Sequence, residues 1–150
     1  MNLNTQLTTL FGIGRAPFAP GTAASFVALP FAWLTATAFG PLPLLALAIT
    51  VGLLAVPISG AYAKKTGRQD PSDCVIDELA GQWLACACAP LTLWGFAVAF
   101  VLFRLFDMTK LWPVSAAEKL KGGWGIVADD MVAGAMAGVI VLLAVHFGLL

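Results

Sequence analysis

Two pairs of adjacent carboxylates stand at the edges of apolar segments, where negative charge is unfavourable. Asp77 and Glu78 directly precede the uncharged stretch 79–103, and Asp129 and Asp130 precede the last apolar stretch. An uncompensated carboxylate at a membrane boundary is costly, and such residues are functional by default. Neighbouring residues on a helix point about 100° apart. We therefore expect all four residues to belong to a site.

A third charged segment lies between the two pairs. Arg104, Asp107 and Lys110 are spaced three residues apart, so on a helix they form one stripe of alternating charge. An intrahelical ion pair stabilises a helix by only ~0.2–0.5 kcal/mol, which explains poorly why an apolar helix carries these charges. The stripe is better explained as part of a site whose cations bind an anion. Trp112 and Pro113 are expected to end this helix.

These residue types together indicate phosphoryl chemistry. Hard carboxylate oxygens select Mg²⁺ over softer metals, and arginine and lysine suit phosphate oxygens. Phosphoryl hydrolysis needs a metal to neutralise charge, cations to hold oxygens and a carboxylate to orient water. The segments can act together only if the fold brings them to one place. The candidate residues are five carboxylates (Asp77, Glu78, Asp107, Asp129, Asp130) and three cations (Arg15, Arg104, Lys110).

Arg15 precedes a segment rich in proline and glycine. Its prolines and Gly21 predict a loop, and Thr22 is placed to cap a helix that begins at Ala23. Backbone N–H groups at a helix start favour an anion, and Arg15 adds a full charge. The alternative is an ordinary capped helix with one surface arginine.

Two further segments flank the acidic pairs. Asp70 followed by Pro71 predicts a helix start, which makes Asp70 and Asp73 capping and macrodipole residues and puts Asp73 and Asp77 on one helix face. Asp129 and its neighbour are expected to open the last helix. Three glycines ahead of them predict a flexible loop whose backbone can approach a ligand. They are Gly122, Gly123 and Gly125.

The composition predicts a membrane protein of one domain, residues 1–150. Hydrophobic residues make up 60% of the chain, its mean hydropathy is +0.91, and 11% of its residues are charged, against about 25% in soluble domains. The formal net charge of zero argues against nucleic-acid binding, which needs a basic surface. The one histidine, His146, excludes a histidine-based zinc or triad site.

The apolar segments predict an all-α, polytopic helical membrane protein. A spanning helix needs ~20 residues, and the segments 23–39, 44–63 and 131–150 meet this need, with an FGPLP turn joining the first two. The stretch 79–103 either crosses once or turns back at Ala89–Thr92 as two half-helices. We favour the second arrangement, because only it leaves all charges on one face.

The basic residues predict how this polar face is oriented. Segments rich in lysine and arginine stay on the cytoplasmic side of a membrane. The FGPLP turn and the C-terminus carry no lysine or arginine, so we expect them on the far side. The fold should therefore have one polar cytoplasmic face.

Four ordered segments resemble the phosphatidylglycerophosphatase A family. They are APGTAAS at 19–25, DPSDCVIDELAG at 70–81, FRLFDMTKLWPV at 103–114 and GGWGIVADDMVAG at 122–134. The likeness covers nearly the whole chain, and the order and spacing of the segments are specific. One departure is Leu111, where the family usually has proline.

The resemblance implies Mg²⁺-dependent removal of the terminal phosphate of the phospholipid phosphatidylglycerophosphate, which gives phosphatidylglycerol. It also implies a place in the bacterial inner membrane, with the active site facing the cytoplasm. The expected Mg²⁺ ligands are Asp77, Glu78, Asp129 and Asp130. The expected catalytic residues are Arg104 and Lys110, which bind the scissile phosphate, and Asp107, as a further ligand or the water-orienting base. The expected diester-phosphate site is Arg15, Gly21 and Thr22.

Two other functions stay open from the residues alone. One is a phosphatase for another lipid phosphate, such as a polyprenyl phosphate, because the sequence does not separate headgroups. The other is a non-enzymatic membrane protein that binds or transports cations. Ion paths place charges inside apolar helices, whereas these charges lie at helix ends, which favours the phosphatase.

Overall fold

The computed structural model describes residues 2–150, which contain seven α-helices and one 3-10 segment. The chain is 77% helical with no strand in that range, so the predicted all-α class is confirmed. The helices are α1 (Leu3–Thr8), α2 (Pro20–Phe39), α3 (Pro41–Thr66), α4 (Ile76–Ala87), α5 (Leu93–Thr109), α6 (Val114–Ala117) and α7 (Gly123–His146), and the 3-10 segment is Leu10–Arg15.

Three helices, α2, α3 and α7, are long and apolar enough to cross a membrane. Large apolar side chains project outward from them, which is the expected arrangement for helices that contact lipid. Gly40 alone joins α2 to α3 in a left-handed conformation with φ 89°, so the expected five-residue turn is one residue long. Proline is suited to the first helical position, which lets α3 begin at Pro41. The exposed side chains include Phe26, Phe31, Leu53, Leu54, Val139 and Leu142.

The start of α2 differs from the prediction. The helix begins at Pro20, not at Ala23, with Ala19 before it in a left-handed conformation and no side-chain cap. Thr22 is therefore inside the first turn and does not cap the helix. The fixed φ of proline is already helical, and its missing N–H costs nothing at the first position.

The apolar stretch 79–103 does not cross as one helix. The chain reverses at Ala89–Thr92, between α4 of 12 residues and α5 of 17 residues, as the favoured arrangement required. Thr92 caps α5, since its hydroxyl accepts a hydrogen bond from the Gly95 N–H at 3.0 Å. The reversal returns the C-terminal end of α5 to the end of the bundle where α4 begins.

The short helix α4 is the centre of the bundle. It contacts α2, α3, α5 and α7, and glycines allow its closest approach to α7. A Cβ at Gly134 would collide with the Gly81 carbonyl oxygen, and one at Gly81 would lie 2.6 Å from the Asp130 carbonyl oxygen. Small residues at such crossings let helix backbones meet closely. This contact brings the first turn of α4 to the second turn of α7.

We expect Gly134→Leu to prevent the α4–α7 approach and to destabilise the protein by at least ~1–3 kcal/mol, the usual cost of overpacking. The measurement is the midpoint of thermal denaturation in detergent. Val139→Leu is the matched control, because it adds bulk on the same helix where the side chain is 55% exposed. Equal midpoints for the two variants would contradict the close packing.

Candidate active site

Asp77 and Glu78 lie in the first turn of α4, next to its start at Ile76. The predicted earlier start at Asp70 is wrong. The backbone ahead of α4 forms a turn, in which the Cys74 N–H donates to the Pro71 carbonyl at 2.8 Å, and the Val75 N–H donates to the Thr8 carbonyl of α1 at 2.9 Å instead of to a helical partner. This tertiary contact with α1 overrides the local Asp-Pro signal.

Asp73 is consequently neither a helix residue nor on one face with Asp77. Its carboxylate accepts a hydrogen bond from the Tyr62 hydroxyl and another from Arg68 at 2.8 Å. Although partial burial acts to raise the pKa of Asp73, these two bonds lower it below its usual value. Asp73 therefore ties the segment before α4 to the end of α3.

Asp129 and Asp130 lie in the second turn of α7. The prediction that they open this helix is wrong, because α7 already begins at Gly123. The predicted glycine loop is wrong for the same reason. A Cβ at Gly123 would collide with the Val56 carbonyl of α3, so this glycine serves helix packing. Only Gly122, with φ 64°, lies outside the helix.

Arg104, Asp107 and Lys110 form the expected stripe at the end of α5. The Arg104 Nη1 donates to Asp107 Oδ2 at 2.5 Å, and the Lys110 Nζ donates to Asp107 Oδ1 at 2.9 Å. The helix ends at Thr109, and Lys110 follows it in a left-handed conformation, which corrects the expected end at Trp112. Both oxygens of Asp107 are thus bound to cations.

Lys110 also connects α5 to α7. Its ammonium donates to Asp129 Oδ2 at 2.6 Å, so the stripe is more than a set of intrahelical pairs. Although burial acts to lower the pKa of Lys110, its bonds to Asp129 and Asp107 raise that pKa well above its usual value. The lysine is therefore a permanent cation that fixes two carboxylates.

The five predicted carboxylates come together as two groups that share one residue. Asp77, Glu78 and Asp130 form the first group, and Asp107, Asp129 and Asp130 form the second, with ligand atoms within 4.8 Å of one another in each. The expected four-residue metal set is therefore divided, because Asp129 lies in the second group. The four aspartates are between 3% and 7% exposed, so water screens their charges little.

The first group has acceptor atoms without partners. Asp77 Oδ1 and Glu78 Oε2 are buried and make no hydrogen bond within the described chain. A buried acceptor left unpaired costs about 1–3 kcal/mol, and more when the group is charged. Hard oxygen atoms in this arrangement are the ligands that Mg²⁺ prefers. The residues present therefore fit a small divalent cation.

A cavity of about 300 Å³ opens onto both carboxylate groups. The first turn of α2 forms part of its wall, through Gly21 and Thr22, whereas Arg15 lies outside the lining and is exposed on the 3-10 segment. Gly21 is fitted against the charged residues: a Cβ there would collide with Glu78 Oε1 and lie 3.2 Å from Arg104 Nη1.

The cavity lining also includes residues that the sequence did not assign to a site. Asp70, Ser72 and Cys74 face it from the segment before α4. Asp70 was expected to cap a helix, and no helix begins there. The sequence signal for Asp70 is an acidic residue in the same charged segment as Lys65 and Asp77, five residues after the first and seven before the second. That signal is ambiguous, because Asp-Pro is also typical of an ordinary helix start.

The geometry agrees with what is found among known proteins. The family described as Phosphatidylglycerophosphatase A matches residues 6–145. The chain belongs to this family. Membership confirms the family and the enzyme class predicted from the sequence.

Three curated relatives span most of the chain. Phosphatidylglycerophosphatase A of Escherichia coli (strain K12) is 37% identical over 93% of this chain and 82% of its own length. A putative phosphatidylinositol-3-phosphatase of Bacteroides thetaiotaomicron is 35% identical over 95% and 93%. Phosphatidylglycerophosphatase A of Haemophilus influenzae is 34% identical over 93% and 86%. No solved structure matches the chain significantly.

We expect Gly21→Ala to lower phosphatase activity by ~10²-fold, the effect of a displacement of about 1 Å in a catalytic geometry. The added methyl group must push Glu78 or Arg104 away. Alanine favours a helix more than glycine by ~1 kcal/mol, so α2 itself should not be weakened. Activity and thermal midpoint should be measured on the same sample. Loss of both together would show a folding defect instead.

Proposed function

We propose that this protein is a Mg²⁺-dependent phosphatase that removes the terminal phosphate of phosphatidylglycerophosphate and releases phosphatidylglycerol. One observation carries the proposal: two carboxylate groups that share Asp130 lie beside Arg104 and Lys110 on a single cavity. Carboxylates for a divalent cation and cations for phosphate oxygens are the parts that phosphoryl transfer needs.

The relatives support a phospholipid phosphate as the substrate. Two of the three are named Phosphatidylglycerophosphatase A and the third is named a putative phosphatidylinositol-3-phosphatase. All three names describe removal of phosphate from a phospholipid. Phosphatidylglycerophosphate is the first candidate, because the family that matches the chain bears its name. A phosphoinositide is the second candidate, because the Bacteroides relative is 35% identical and aligns over nearly its full length.

We assign the metal to the shared centre of the carboxylate groups. Asp77, Glu78 and Asp130 would hold one Mg²⁺, and Asp129 with Asp107 would border it. When bound, the ion would neutralise charge on the phosphate and on the surrounding acids. The unpartnered oxygens of Asp77 and Glu78 support this assignment.

We assign to Arg104 and Lys110 the binding of the phosphate that is removed. Arg104 has a buried Nε–H without a partner, so it can donate to a phosphate oxygen while Nη1 stays on Asp107. Asp107 holds both cations at one spot through its two oxygens. We therefore assign to Asp107 the positioning of the cations and, with Asp129, the second side of the metal site.

The site should face the cytoplasm from the bacterial inner membrane. Lys64 and Lys65 end α3, and Lys119 and Lys121 lie between α6 and α7, all at the end of the bundle that holds the site. The opposite end carries the Gly40 turn and the Ala89–Thr92 reversal, both without charge. Lysine and arginine remain on the cytoplasmic side.

The test of substrate and cofactor is a phosphate-release assay on the purified full-length protein. The panel contains phosphatidylglycerophosphate, a phosphatidylinositol 3-phosphate and a polyprenyl phosphate, each with Mg²⁺ and with EDTA. We expect release from phosphatidylglycerophosphate that EDTA stops and Mg²⁺ restores. Release from the phosphoinositide alone would select the second candidate, and release from none would remove the enzyme proposal.

We expect Asp130→Asn to reduce activity by at least ~10³-fold, because Asp130 belongs to both carboxylate groups, and to weaken binding of Mn²⁺ as a spectroscopic substitute for Mg²⁺. The comparison variant is Glu118→Gln, which removes a carboxylate outside both groups. Unchanged Mn²⁺ binding in Asp130→Asn would remove this residue from the metal site, whatever happened to activity.

A further inference from the structure

Asp70 is a carboxylate of the cavity that has no structural task. It lies in the segment between α3 and α4, lines the cavity that opens onto both carboxylate groups, and begins no helix. It takes part in none of the salt bridges found among residues 2–150. Asp73, three residues later, accepts hydrogen bonds from Tyr62 and Arg68. The two aspartates of this segment therefore differ in whether neighbouring side chains bind their carboxylates.

The other acids near the cations already accept hydrogen bonds. Asp107 is bonded to Arg104 through one oxygen and to Lys110 through the other, at 2.5 and 2.9 Å. Asp129 accepts from Lys110 at 2.6 Å and from the Asp130 N–H at 3.0 Å. Hydrogen bonds to the charged form of a carboxylate favour that form, so the cations bonded to both oxygens of Asp107 oppose its protonation. The acids of the first group are those assigned to the metal.

The surroundings of Asp70 favour proton uptake. Asp70 is an exposed residue, but desolvation by the surrounding protein still raises the pKa of Asp70 above its usual value, and the nearby Glu118 and Asp107 carboxylates add to this, while Lys110 acts against it. A base works best when its pKa lies closer to the operating pH. The direction of the pKa shift is therefore the one that a base requires.

Asp70 also lies between two cavities. A second cavity of about 380 Å³ shares Asp70 and Ile126 with the first and is otherwise lined by residues such as Gln69, Glu118 and Lys119. Its lining combines charged side chains with Gly125 and Ile126 of α7, so water that enters this cavity can reach Asp70. A carboxylate at this junction can accept a proton from a water molecule in the first cavity and release it to water in the second cavity.

We propose that Asp70 is the catalytic base that activates the attacking water. In this step the water oxygen forms a bond to phosphorus, one water proton passes to the Asp70 carboxylate, and the bond between phosphorus and the ester oxygen breaks. The leaving alkoxide takes a proton from solvent water and becomes a hydroxyl group. Asp70 then gives its proton to water in the second cavity. The inference rests on the proposed phosphatase function.

The experiment compares Asp70→Asn with wild type in the phosphate-release assay, with kcat, KM and the pH profile of kcat/KM measured for each. We expect kcat to fall by ~10²–10⁴-fold, the usual contribution of a general base, with KM changed by less than about threefold. The wild-type profile should fall on the acid side as Asp70 gains a proton, and the variant should lose that dependence. Asp70→Glu, which keeps a carboxylate, should recover part of kcat.

The matched control is Asp73→Asn, the same substitution in the same segment but outside the cavity lining. Its kcat should stay near the wild-type value, since Asp73 does not line the cavity and asparagine keeps one acceptor oxygen for Tyr62 or Arg68. Near-normal kcat in Asp70→Asn, an unchanged pH profile, or a loss confined to KM would each overturn the inference. If wild type itself releases no phosphate from any lipid, the proposed function fails instead.

Discussion

Negative charge held away from water is the constraint on which the structure depends. Five carboxylates meet where α4, α5 and α7 come together, and among residues 2–150 only Arg104 and Lys110 lie beside them as cations. Like charges at this separation repel strongly when water does not screen them. The salt bridges around Asp107 and Asp129 relieve one side of the cluster. The other side, with Asp77 and Glu78, has unpartnered oxygens that a bound cation would satisfy.

Close contacts between the helices bring this cluster together. Gly81 and Gly134 let α4 and α7 meet at their backbones, and Gly21 lets the start of α2 approach Glu78. Each glycine is placed where a methyl group has no room. A chain with larger residues at these positions could still form apolar helices, but their charged ends would stand apart.

Much of the architecture could be predicted from the sequence, and the reasons are local. The reversal at Ala89–Thr92 followed from a proline and from the requirement that the charges share a face. The stripe of Arg104, Asp107 and Lys110 followed from helical spacing. The helix starts were harder. Asp70 and Pro71 look like a helix start, but a hydrogen bond from the Val75 N–H to α1 holds the end of that segment outside a helix. Gly123 looks like a loop residue until α3 is packed against it. Both errors arise from partners distant in the sequence.

The division of the molecule into a charged end and an uncharged end bears on how the chain enters a bilayer. In the proposed orientation, the parts carried across are the Gly40 turn and residues 147–150, which contain no lysine, arginine, aspartate or glutamate. The α4–α5 reversal at Ala89–Thr92 contains no charged residue either. Moving a charged group through the hydrocarbon of a bilayer has a high free-energy cost. In the proposed orientation, the protein would therefore assemble from one side of the bilayer, with its lysines, arginines and acids remaining on that side.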